Sequence, residues 1–116
     1  MLQVQCVKVP VREGRMAEVR AWIEGLSGRR SEVLDALASE GIADETVFLG
    51  VEGDRTFLYL YSRATSFAAA AAAFEASELA VDVEFKRLMA ECLDMESAEP
   101  LILLFAADRE RGWVRS

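Results

Sequence analysis

The chain has 116 residues, of which 53% are hydrophobic, and a formal net charge of −7 from 20 acidic and 13 basic side chains. That length fits one domain burying roughly 65% of its unfolded surface, and the acidic balance excludes a nucleic-acid partner, which needs clustered Lys and Arg. There is no histidine, which removes the commonest general base and metal or haem ligand and every Ser-His-Asp or Cys-His arrangement, and leaves proton transfer to carboxylates, tyrosines, lysines, cysteines or water.

Leu2 to Val9 alternates as a strand, and Pro10, without a backbone donor, is expected to stop its ladder. Leu2, Val4 and Cys6 share one face, and Gln3, Gln5, Val7 and Val9 the other. Gln5 is either polar strand surface or a group placed in a cavity beside Tyr59 and Tyr61. After the Arg12-Glu13-Gly14 turn, Met16, Val19, Ile23 and Leu26 recur at helical spacing, and Val33, Leu34, Leu37 and Ala38 resume it before Gly41, a helix stop. Gly25 and Gly28 each cost about 1 kcal/mol in a helix interior. A kink or short break is expected there, with Arg29 and Arg30 solvated at the bend. Trp22, off the main stripe, either widens the buried face or meets a partner.

Glu45 to Ser62 carries the strongest pattern: two alternating runs hinged on Gly53 and Asp54. Gly-Asp between β-rich runs predicts a two-residue type II′ hairpin, because glycine takes the positive φ that this turn needs. Glu52 then faces Arg55, and the register runs back to Thr46 opposite Tyr61. One face of the hairpin is aliphatic, with Val47, Leu49, Val51, Leu58 and Leu60. The other holds Phe48, Phe57, Tyr59 and Tyr61, with Thr46 at one end and the Glu52/Arg55 pair at the other. Helices of the same chain can cover the first face; the second needs other cover.

Thr65 or Ser66 is an N-cap for a helix through Ala68–Ala73, bracketed by Phe67 and Phe74. Ser77 to Ala80 interrupts it, and Val81, Phe85, Leu88, Met89, Cys92 and Leu93 mark the next helix. Asp82 either caps that helix or lines a pocket mouth. Cys6 and Cys92 lack metal-ligand spacing and sit in apolar patterns, the setting of buried thiols. Pro100 to Phe105 is a nearly continuous apolar run, expected as an edge strand that a partner chain covers. Residues 106–116 are expected as a mobile charged tail carrying Trp113, after a single domain over residues 1–105.

No apolar run approaches the ~20 residues that span a bilayer, and the N-terminus lacks the layout of a secretory signal. A cytoplasmic protein without a membrane partner is expected. No Gly-rich phosphate loop, cysteine pair or metal-spaced carboxylate array occurs, so neither a cofactor nor a metal site is expected.

The order β-α-β-β-α-β is that of the ferredoxin-like unit, an α+β fold with a four-stranded antiparallel sheet and helices on one face. The stretches Val4-Gln5-Cys6-Val7-Lys8, Glu45-Thr46-Val47-Phe48-Leu49, Tyr59-Leu60-Tyr61, Asp82 with Phe85-Lys86, and Cys92-Leu93 resemble the dimeric α+β barrel superfamily, in particular a small bacterial family with no assigned activity. The resemblance implies two sheets meeting face to face in a homodimer, and a pocket between sheet and helices or at the interface. Better-known relatives handle phenols, sugars or haem, several through a histidine that this chain lacks. Fold analogy licenses no activity.

Three functions stay open. The first is a homodimer binding a small apolar or aromatic molecule without catalysis, with Gln5, Arg30, Phe48, Tyr59, Tyr61 and Asp82 as candidate ligand-binding residues. The second is a cofactor-independent oxygenase or isomerase using Glu45 or Asp82 as a base near Tyr59 or Tyr61, with Arg30 stabilising an anion. Alternation puts Glu45 on the helix side unless a bulge re-aims it. The third is a structural or interaction module contacting partners through Trp22, Trp113 and the sheet edge.

Overall fold

Gly53 takes a φ of +63° and Asp54 stays at negative φ, the pattern of the expected II′ turn. In the computed structural model, which describes residues 2–115, this turn joins β2 (Ile42–Glu52) to β3 (Arg55–Ala64), with Glu52 opposite Arg55 and Thr46 opposite Tyr61. β1 (Gln3–Pro10) pairs antiparallel with the other side of β3, and β4 (Glu99–Pro100) with β1, giving the order β2-β3-β1-β4. This is the expected ferredoxin-like α+β sheet.

Helices α1 (Met16–Gly25), α2 (Arg30–Glu40), α3 (Phe67–Ala76) and α4 (Ala80–Cys92) complete the fold. A single 3-10 turn over Leu26–Gly28 separates α1 from α2, the break that the two glycines predict. Gly41, at φ +69°, ends α2. The Ser66 side chain accepts from the Ala69 amide and caps α3. Asp82 caps nothing: it lies inside the first turn of α4, and Leu79 holds the cap position without a side-chain bond.

The core joins Val9, Val19, Leu58, Leu88, Cys92 and Leu93 where the helices meet the middle strands. Trp22 widens this buried face, stacking on Phe85 at 5.6 Å between centroids, while its Nε1 donates to Glu84 at 3.0 Å.

Four expectations need correction. Pro10 stays in the ladder opposite Phe57, because the Val11 amide carries the pairing on to the Thr56 carbonyl at 2.9 Å and leaves Pro10 at a non-hydrogen-bonded position where no donor is needed. Arg29 is half-buried rather than solvated, with Nη1 donating to Glu84 and Nε to Glu32, each at 2.8 Å. Cys92 is fully buried but Cys6 is only partly so.

The apolar run 100–105 is the fourth. Only Glu99 and Pro100 pair with β1, the Leu101 amide adds one bond to the Cys6 carbonyl, and residues 101–105 leave the sheet, Ile102 being 87% exposed. A continuous apolar run suits a strand covered on both faces, whereas beside it β1 presents the exposed Gln3 and Gln5 to the helix side. The chain end then forms a hairpin of β5 (Ala106–Asp108) and β6 (Gly112–Arg115), where Phe105 stacks on Trp113 at 5.2 Å.

Candidate functional site

Cross-strand register sorts the sheet into rows, because paired residues point to the same side. On the face away from the helices the rows are Lys8-Tyr59-Phe48, Cys6-Tyr61-Thr46 and Val4-Arg63-Asp44, after Pro10-Phe57-Gly50 at the turn end. Phe48 is 59% exposed and the two tyrosines are partly so. A Cβ on Gly50 would stand 2.7 Å from Tyr59 Cε2, so the absent side chain at residue 50 is what lets the Tyr59 ring lie down on β2.

Charge closes both ends of this aromatic patch. At the turn end Lys8 Nζ donates to Glu52 at 2.8 Å and lies 4.3 Å from the centre of the buried Phe57 ring. At the far end Arg63 bridges Asp44 and Asp108, the second at 3.1 Å, which brings β5 against the open face.

On the helix side the rows Val9-Leu58-Leu49 and Val7-Leu60-Val47 are apolar, but the next is Gln5-Ser62-Glu45. The irregularity in β2 falls between Ile42 and Asp44, so it precedes Glu45 and leaves that side chain facing the helices. Two more carboxylates come to this row, Glu40 from the last turn of α2 and Asp82 from the first turn of α4, 8% and 5% exposed. One oxygen of Asp82 is buried without any hydrogen-bond partner. Burial first, then the charges of Asp82 and Glu45, push the Glu40 carboxyl up to about 7. Glu45 keeps surface in solvent, yet the protein around it and the Asp82 charge raise its pKa as well.

The structure therefore divides the six sequence candidates. Phe48, Tyr59 and Tyr61 meet on the open face; Gln5 and Asp82 lie on the helix side. Arg30 stands exposed at the start of α2 with Nε donating to the Ser27 carbonyl, and joins neither set. The placing of Gln5 beside the tyrosines is overturned by its pairing with Ser62, and the sheet itself separates Glu45 and Asp82 from both tyrosines. Sequence reasoning missed Glu40 and Ser62. Glu40 was findable: it follows Ala36 by four residues and Leu37 by three, the spacing of the buried stripe of α2.

An open groove of about 240 Å³ also lies between Met16 and Ile23 of α1 and Val47, Leu49 and Leu58 of the sheet. Among the described residues no cluster of Cys, Asp and Glu is placed to hold a metal ion, and no helix is long and apolar enough to cross a membrane.

Sheet order and helix placement define a ferredoxin-like α+β chain. The chain belongs to DUF6176, a family of unknown function whose model matches residues 2–111. Among solved structures it is similar to an L-rhamnose mutarotase from Formosa agariphila, at 14% identity and a TM-score of 0.59 over 91% of this chain and 99% of that one. It is also similar to a protein from Nitrosomonas europaea assigned as an antibiotic biosynthesis monooxygenase, at 20% identity and a TM-score of 0.55 over 88% of each chain. Both likenesses are of fold. No curated protein matches the sequence.

Proposed function

We propose that this protein is a cytoplasmic homodimer whose two open sheet faces close on each other, and that the barrel so formed binds a small apolar or aromatic molecule without transforming it. The observation that carries this reading is the Phe48-Tyr59-Tyr61 surface, apolar at its centre and bounded at both ends by ion pairs. An apolar centre inside a polar rim is the anatomy of a protein interface, and an exposed aromatic patch of this kind marks a contact or binding surface. The exposed Ile102, Leu104 and Phe105 add apolar surface at the opposite edge of the sheet from β2. Two tyrosine hydroxyls in such a cavity supply the few polar groups that orient a ligand.

The test is a set of thermal melts with 2-naphthol as probe, on the native chain and on Tyr59→Phe with Tyr61→Phe. The reading expects 2-naphthol to raise Tm in the native protein, and the double variant to lose most of that rise while keeping its own Tm within a few degrees. No rise with the native protein, or an unchanged rise in the double variant, contradicts hydroxyl recognition in the barrel.

A further inference from the structure

We propose that the outer edge of β2 is a docking site for residues 101–105 of a second copy of this chain, which add there as a further strand. This contact presupposes the pairing of two copies through their open faces, and it closes the seam that such pairing leaves. β2 ends the sheet and, among the described residues, pairs only with β3. A two-residue turn makes Glu52 and Arg55 a hydrogen-bonded pair, and bonding alternates back from there. Thr46, Phe48 and Gly50 therefore spend their main chain on β3, while the amides and carbonyls of Val47, Leu49 and Val51 point off the edge. The same alternation continues across β3, where it leaves the Thr56 carbonyl to the Val11 amide at 2.9 Å. Thr46–Val51 holds no charge, proline or bulge, the devices that protect a free edge.

The groove of about 240 Å³ adjoins this edge, since Val47 and Leu49 line it together with Met16 and Ile23 of α1. A strand laid along β2 sends alternate side chains into that groove and toward the exposed Phe48, the layout of a sheet edge that accepts an extended segment. Residues 101–105 match it. They carry no charge, Ile102 and Leu104 are exposed on one side of the run when it is extended, and among the described residues no main-chain hydrogen bond engages residues 102–105. The Leu101 amide, bonded to the Cys6 carbonyl, holds the run at the edge of its own sheet opposite β2, so the β2 it meets belongs to another copy. The Arg63–Asp108 bond keeps the far end of the run at the open face, where that copy arrives. Two sheets facing each other about a two-fold axis parallel to the strands run β2-β3-β1-β4 in opposite senses. Each β4 edge then lies over the partner's β2 edge, both contacts form at once, and the assembly closes instead of growing.

The experiment is amide hydrogen exchange followed by NMR, with molar mass measured on the same samples, for the native chain and for Leu103→Pro with Leu104→Pro, so that one of the two lost donors faces β2 in either register. In the native pair the Val47, Leu49 and Val51 amides are expected to exchange slowly, and the proline variant to speed them about tenfold or more while Thr46, Phe48 and Gly50 keep their rates. Ile102→Asp with Leu104→Asp, which keeps the backbone donors and removes the apolar fit, is expected to act in the same direction. Two-copy mass with Val47, Leu49 and Val51 exchanging fast in the native chain overturns the added strand and leaves the face pairing standing. Amides that stay slow in both variants put a different occupant on the edge and overturn it as well. Single-copy mass in the native chain overturns the face pairing itself, and the added strand with it.

Discussion

Along β3, alternate residues live in different surroundings. Leu58, Leu60 and Ser62 turn toward the helices, while Phe57, Tyr59, Tyr61 and Arg63 turn away. The helix face is graded, apolar at the hairpin turn and acidic at the other end. The open face is aromatic in the middle and charged at both ends. One backbone thus carries two surfaces built on opposite plans. The helix side carries the buried Glu40 and Asp82 without an ion pair among the described residues, and the open side leaves rings uncovered and sets ion pairs at both ends, although one oxygen of Asp44 there is buried without a partner as one of Asp82 is.

The sharpest way to break this comparison is to ask whether the polar row is core like its neighbours. Leu58→Ala is expected to cost about 3 kcal/mol in urea denaturation, as deletion of a fully packed leucine does, because Leu58 is 2% exposed. Ser62→Ala, two positions along the same face, is expected to cost less than about 1 kcal/mol. Equal losses would make the row a structural continuation of the core.

Next comes the pH profile. In the folded chain Glu40 titrates at about 7 against an ordinary 4.5, so the native state binds its proton more tightly than the unfolded state does. Its stabilisation is full below about pH 4.5 and is lost as pH rises through about 7, and Glu45 acts in the same direction. Glu84 works the other way: hydrogen bonds from Arg29 and Trp22 hold its carboxyl to about 2, so its contribution is present above 4.5 and is lost as pH falls toward 2. Tm is therefore expected to peak near pH 5 and decline toward pH 8. Glu40→Gln should raise Tm at pH 8 by about 3 °C or more and flatten the decline; a Tm that climbs from pH 5 to pH 8 would contradict the buried acidic end.

The smallest effect belongs to the open side. Gly50→Ala forces the Tyr59 ring off β2, because the new Cβ would meet it at 2.7 Å. The ring is a side chain at the surface and can swing, so the cost in stability is expected below about 1 kcal/mol, with a measurable weakening of self-association by sedimentation. An unchanged association constant would mean that the Tyr59 position does not matter to the contact.

The sequence made the hairpin readable because three local signals agreed: period-two alternation in both runs, Gly-Asp between them, and β-branched or aromatic residues throughout. Register and faces both followed. Where one signal stood alone, the reading strayed. Leu101–Phe105 is apolar without alternation, and only the sheet order shows that its edge lacks cover on the helix side. Gln5 was legible as sharing a face with Val7 and Val9, but which way that face turned depended on pairing with Ser62. Arg29 reads as a solvated loop residue until folding carries Glu84 from a distant helix to it. The acidic site was readable only in part: Asp82 was singled out and the stripe of α2 points at Glu40. Their convergence on Glu45 is a product of tertiary packing, and no spacing along the chain encodes it.

The proposed pairing of two copies through the aromatic face is tested most directly by molar mass from light scattering. The native chain is expected to elute as two copies. Phe48→Asp, which places a charge at the centre of the patch, is expected to elute as one folded copy with an unchanged far-ultraviolet dichroism spectrum. A native chain of single-copy mass at tens of micromolar would contradict it, as would a Phe48→Asp variant that remains two copies.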